Sequence, residues 1–277
     1  MTSEQGIPGE LGVSEVISKS LEVYRRGFVP FVVLFLVAEV VSGLLSIPIQ
    51  RAYVLPVAPV NATAQQLYDW FPGYIGALVP LTVLTSVVSL LVLVPAYASA
   101  IKMASDDIVK GQVNLGSSFR FTLSKLVWVW LLDLVFGVVV VLGLIALLVP
   151  GIILAIMFCL ALPVLMIENR GVMEAMGRSR ELVGHRWLKT FVLFVIGVVL
   201  LGIASGIVSG IGGAFGGAGT LVSNALSAFY LPMIPVALTV YYYSNLARSI
   251  PSQGVRSSTI PMATPQPGMK FCPNCGT

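Results

Sequence analysis

The chain has 277 residues, of which 57% are hydrophobic and only 10% charged, and its mean hydropathy is +0.94. That balance excludes an ordinary soluble globular protein, which needs a charged surface, and calls for lipid as the solvent. The formal net charge of +4 does not indicate a nucleic-acid partner, because the basic residues sit in short segments between apolar runs, where membrane topology accounts for them.

Residues 1–27 read as an N-terminal cytoplasmic amphipathic segment. They are too polar for the apolar core of a secretory signal, and the first apolar run begins only after Arg25-Arg26, so the first span is expected to stay as an anchor. A membrane domain over 28–248 follows. Its apolar stretches at 28–49, 74–98, 126–149, 151–167, 191–208 and 221–244 approach or exceed the roughly 20 helical residues that cross a hydrocarbon core. The fourth is the shortest, and Pro150-Gly151 between it and the third predicts a tight helical hairpin there. The fold class expected is an all-α membrane protein with about six transmembrane helices.

The connections set the expected orientation. Of the 16 Lys and Arg residues, the first, third and fifth connections hold only Arg51, while Arg25, Arg26, Lys102, Arg120, Lys125, Arg178, Arg180, Arg186 and Lys189 fall in the other segments. By the positive-inside rule both ends face the cytoplasm of a cell membrane. The outer loop 50–73 carries Tyr53, Tyr68, Trp70 and Phe71, which suit an interfacial aromatic belt. Its Asn61-Ala62-Thr63 tripeptide is a glycan acceptor only in a compartment that glycosylates.

Stacking the cytoplasmic segments reveals a repeat. Segments near 11–26, 115–125 and 172–187 each lead into an odd-numbered span, so the unit is one interfacial helix plus two spans, present three times. The first places Leu11, Val16, Leu21 and Val23 among Glu15, Lys19, Glu22 and Arg26; the third places Met173, Met176 and Leu182 among Glu174, Arg178 and Glu181. Helices of this build lie in the headgroup plane, apolar face in the membrane, with basic groups on anionic lipid.

After Arg248 the composition turns to Pro, Ser and Gln. Residues 249–269 read as a disordered linker and 270–277 as a knuckle. Its Phe271-Cys272-Pro273-Asn274-Cys275-Gly276 resembles half of a zinc ribbon, with Cys272 and Cys275 as thiolate ligands. Structural zinc takes four protein ligands, and within these residues only His185 adds a histidine, far upstream. Three readings stay open: a degenerate ribbon without metal, a Cys₄ zinc site shared with a second chain or a protein partner, and a thiol redox pair. The redox reading is the weakest, because a thioredoxin-type pair opens a helix after a strand.

Glu39 and Asp133 are the acids expected inside spans, where each costs roughly 2.5 to 3.5 kcal/mol on insertion scales and needs a partner or a proton. They suit either a proton or cation path or carboxyls satisfied by neighbouring Ser or backbone. The glycines Gly202, Gly206 and Gly210 resemble a small-residue face for close helix packing. Hydrolase, P-loop and HExxH-type zinc motifs are absent, and one histidine leaves no His-based metal centre.

The runs Val149-Pro150-Gly151-Ile152-Ile153-Leu154, Leu160-Ala161-Leu162-Pro163-Val164, Glu168-Asn169-Arg170-Gly171-Val172-Met173-Glu174-Ala175-Met176-Gly177-Arg178-Ser179 and His185-Arg186-Trp187 resemble the membrane domain of some glycerophosphoryl diester phosphodiesterases and their stand-alone relatives, best over 111–197. In those enzymes the resemblance implies catalysis in a separate soluble barrel, and no such barrel is expected within these 277 residues. The expectation is therefore a non-enzymatic membrane protein that organises lipid or a protein partner at the cytoplasmic face. The alternative is a small transporter or channel using Glu39 and Asp133.

Overall fold

The structure, a computed structural model, describes residues 10–249, and the tail with Cys272 and Cys275 lies outside them. The described residues form helices without strands: α1 Val13–Arg26, α2 Phe28–Ala52, α3 Ala64–Lys110, α4 Leu115–Ser124, α5 Leu126–Ala146, α6 Leu148–Phe158, α7 Ala161–Glu168, α8 Val172–Gly184, α9 Trp187–Gly213, α10 Gly219–Ser227 and α11 Met233–Ser249. Phe28–Ala52, Ala64–Lys110, Leu126–Ala146, Leu148–Glu168 and Trp187–Gly213 are long and apolar enough to cross a membrane.

The last apolar stretch, expected to be one span, is two helices. Pro232 and Pro235 lack the N–H groups that would continue a ladder onto Ala228 and Leu231, and a chain of turns from Ala228 to Pro232 joins α10 to α11. In contrast, α3 is longer than its apolar stretch. Thr63 caps its start, accepting from the Gln66 N–H at 3.3 Å while the Gln66 side chain accepts from the Thr63 N–H at 2.9 Å. Gly111, left-handed at φ 65°, closes its end with an N–H to the Asp107 carbonyl at 2.9 Å. At 47 residues α3 measures about 70 Å, twice the hydrocarbon thickness.

The hairpin between α5 and α6 turns at Leu147, earlier than the Pro150-Gly151 expected from the sequence. Pro150 instead lies in the first turn of α6, where a missing N–H costs nothing. Gly151 lies at the helix crossing: a Cβ on Gly143 would come within 2.9 Å of the Gly151 Cα, and a Cβ on Gly151 within 2.7 Å of the Leu144 nitrogen. Small residues let these two backbones touch.

Helices α1, α4 and α8 are the three short amphipathic helices expected before α2, α5 and α9. They are packed into the bundle, and each delivers a hydroxyl to a segment disturbed by proline. Ser179 of α8 accepts from the Leu160 N–H at 3.1 Å and donates to the Met157 carbonyl at 2.8 Å, bridging the break between α6 and α7 ahead of Pro163. Tyr24 of α1 donates to the Phe229 carbonyl at 2.7 Å in the break between α10 and α11. Thr122 of α4 lies 3.0 Å from the Ser99 hydroxyl, whose one proton is shared between Thr122 and the Pro95 carbonyl, 2.8 Å away in α3. Broken helices persist in an apolar medium only where neighbouring groups satisfy the freed backbone.

Burial is uneven along the bundle. Every buried residue of α3 falls between Pro95 and Ile108, at the Lys/Arg-rich end, where Phe31, Phe35, Met103, Leu165 and Tyr242 form the core. Toward the other end Val138, Leu142, Leu200 and Ile207 are exposed, as lipid-facing side chains are. Helix α9 buries only Thr190 and Gly212. It meets α10 through Gly212 and Gly219, where a Cβ on Gly212 would lie 2.8 Å from the Gly219 carbonyl oxygen, whereas Gly202, Gly206 and Gly210 face open space within the chain.

Candidate functional site

Because α9 touches the bundle mainly at its ends, a slot of about 560 Å³ remains beside it. The size falls in the usual range of ligand cavities, about 300 to 1,000 Å³. The α9 wall runs from Thr190 to Leu201, about 16 Å of helix, and one leaflet of the hydrocarbon core is about 15 Å deep. α11 forms the facing wall, α5, α6 and α7 contribute the floor, and Val16, Ile17 and Ser20 of α1 roof the basic end.

The lining is apolar along its length, with polar groups gathered near the roof. Thr190 shares a 2.6 Å hydrogen bond with the Tyr241 hydroxyl, and Ser20 donates to the Val16 carbonyl at 2.6 Å, so these hydroxyls are already partly satisfied. Farther along lies Asp133 of α5. No Lys, Arg or His side chain lines the slot among the described residues.

The two intramembrane acids do not meet. Asp133 lines the slot, whereas Glu39 is buried on α2 and is not part of its wall. The Glu39 carbonyl accepts from the Asn224 side chain at 3.2 Å, an approach that Gly43 permits, since a Cβ there would lie 2.6 Å from the Asn224 amide nitrogen.

The roof is fastened by a charge that sequence reading assigned only to topology. Arg186, between α8 and α9, is buried. Its guanidinium donates to Ser244 at 3.1 Å and Asn245 at 2.9 Å in α11, and to Glu10 at 2.7 Å and the Leu11 carbonyl at 3.3 Å ahead of α1. Leu11 returns its N–H to Ser244 at 2.9 Å. The Arg186 guanidinium holds the Glu10 carboxyl below its ordinary range, as an adjacent cation must. A buried arginine is stable only when several groups satisfy it, and here three elements converge to do so.

Two more ion-pair hubs brace the same end. Glu168 accepts from Tyr242 at 2.9 Å, Arg170 at 2.6 Å and Arg178 at 3.4 Å, which ties α7 and α8 to α11. Arg26 pairs with the buried Asp107 at 3.0 Å, and Asp106 holds Lys102 at 2.8 Å and Lys110 at 2.9 Å. Among the described residues no group of three His, Cys, Asp or Glu side chains could hold a metal. Cys159 lies on the slot wall without a second thiol among the described residues.

Sequence reading singled out Asp133 but missed Arg186, Ser179, Thr190 and Tyr241. Their signal is faint: a hydroxyl or cation facing a proline-broken helix marks a position only once tertiary contacts are known. No protein-family model matches this chain, and neither the curated proteins nor the solved structures offered a significant match.

Proposed function

We propose that this chain is a non-enzymatic integral membrane protein of six spans, with both termini on the cytoplasmic side of the cell membrane, that holds a membrane lipid by a hydrocarbon chain beside α9. In this reading α10 and α11 together make the sixth span. The lipid enters sideways from the bilayer, its chain lies along Thr190 to Leu201, and its head reaches the basic end under α1. The observation that carries the reading is the leaflet-deep apolar slot with polar groups at one end. Three units of short helix plus two spans, arranged as the sequence suggests, would place α1, α4 and α8 at the headgroup level. The resemblance of residues 111–197 to the phosphodiesterase membrane domain belongs to this proposal, as does a lipid-organising role without catalysis.

Cys272 and Cys275 supply half of a tetrahedral shell, so the tail is proposed to share a Cys₄ zinc site with a second copy or a protein partner. The rival function, a small transporter or channel using Glu39 and Asp133, needs both carboxyls on one water-accessible cavity, and only Asp133 lines the slot.

Native mass spectrometry of protein released from native-lipid discs tests the lipid reading. About one lipid should be retained per chain, and Ala237→Trp or Leu193→Trp, which fill the slot from facing walls, should remove it from protein that stays monodisperse. Lipid-free wild type, or retention unchanged in both filled variants, would overturn the reading.

A further inference from the structure

Among the described residues Asp133 is the one acidic side chain in the wall of a mostly apolar slot, whose other polar side chains are the hydroxyls of Ser20, Tyr97, Thr190 and Tyr241, and none of them bonds it. It lies seven residues along α5 from Leu126, about 10 Å of helix from that end, while Thr190, paired with Tyr241, is three residues into α9. No hydrogen bond or ion pair joins its carboxyl to another described residue. Trp130, one turn earlier on the same helix, is a nearby donor, yet its buried indole N–H has no partner either, so it does not serve the acid. Thr190 donates to the Arg186 carbonyl and accepts from Tyr241, so neither hydroxyl has a proton left for the acid. An ionisable group in the hydrocarbon region faces an interior cavity and pairs there, because the medium offers it nothing.

We infer that Asp133 selects the occupant of the slot: a single-chain amphiphile that carries a hydrogen-bond donor, ammonium or hydroxyl, at the head of its chain. This rests on the slot being a lipid site and adds the chemistry it accepts. An anionic head, a carboxylate or phosphate, meets an acid with no basic side chain in the slot to offset it, and is refused. A neutral or cationic donor satisfies the carboxyl, while the chain continues between α9 and α11 toward Leu201. The same acid that makes the empty slot costly makes the filled one specific, as a buried polar group left unpaired by the wrong ligand does elsewhere.

The test uses the full chain in discs of zwitterionic lipid, with three probes of equal chain length: a primary alkylamine, the alcohol and the fatty acid. Wild type should retain the amine and the alcohol about tenfold better than the acid, the ratio one charged hydrogen bond supplies. Asp133→Asn, which removes the charge but keeps an acceptor oxygen, should keep the alcohol and lose most of the discrimination against the fatty acid. Asp133→Leu should bind all three chains alike. Equal retention of the three by wild type, or an unchanged preference in Asp133→Leu, would overturn the assignment while leaving the slot a lipid site. Retention of every probe unchanged in Ala237→Trp would instead show that the probes bind elsewhere, which removes the slot and the selection together.

Discussion

Replacing Ser179 by Ala removes one hydroxyl from α8 and breaks both bonds that bridge the gap between α6 and α7. Interhelical side-chain hydrogen bonds in membranes average about 0.6 kcal/mol and reach about 1.7. Here the loss is larger than one bond, because the Leu160 N–H is buried and left without an acceptor, a cost of about 1 to 3 kcal/mol. A destabilisation of about 2 kcal/mol is therefore expected for Ser179→Ala. The assay is reversible unfolding in mixed micelles with increasing sodium dodecyl sulfate, followed by tryptophan fluorescence. Ser205→Ala is the control, since Ser205 is exposed and donates only to Gly202 of its own helix at 3.1 Å; it should stay within about 0.5 kcal/mol. If Ser179→Ala is no worse than the control, α8 does not support the break.

Three further outcomes are expected. After cysteine substitution, Val60, on the connection before α3, should be labelled from outside intact cells by an impermeant thiol reagent, and Gln112, between α3 and α4, should not; outside labelling of Gln112 would reverse the orientation. Purified protein should hold about one zinc per two chains, lost with Cys272→Ser or Cys275→Ser while the bundle stays folded, whereas one zinc per chain in isolated monomer would exclude the shared site. Because the folded Glu10 carboxyl titrates below its ordinary value of 4.5, the Arg186 clasp contributes fully above that value and is lost as pH falls through the lowered one. Amide protection along α1, measured against the intrinsic exchange rate at each pH, should fall in acid for wild type, and Glu10→Gln should show the lower protection already at neutral pH; pH-independent protection of α1 would contradict the clasp.

Much of the architecture was legible because hydrophobic runs and charge asymmetry are averages over many residues. Five helices long and apolar enough to span fall on the expected stretches, and α1, α4 and α8 lie where the spacing of charged and apolar residues placed them. What sequence misread were positions where one residue has two uses. Gly151 looked like a turn residue and is a contact between helices. Pro232 falls inside an apolar stretch that reads as one span, yet the helix breaks ahead of it, and Tyr24 from over 200 residues away donates to the Phe229 carbonyl within that break. The helical length of α3 depends on capping by Thr63 and Gln66, a local signal that its apolar stretch alone does not contain. Asp133 and Glu39 looked equivalent by composition, and only the packing of α9 away from the bundle separates them. Arg186 looked like one more cytoplasmic charge, and its burial follows from the convergence of Glu10, Ser244 and Asn245, none of them near it in sequence.

The claim that a lipid chain occupies the slot is tested most directly by photo-crosslinking in native-lipid discs with a lipid bearing a diazirine along its chain. Labelled peptides should concentrate on Leu193 to Leu201 of α9 and Met233 to Tyr241 of α11, and Ala237→Trp should clear both. Label spread evenly over exposed faces such as Val138 to Leu144 of α5, with no loss in Ala237→Trp, would contradict the account.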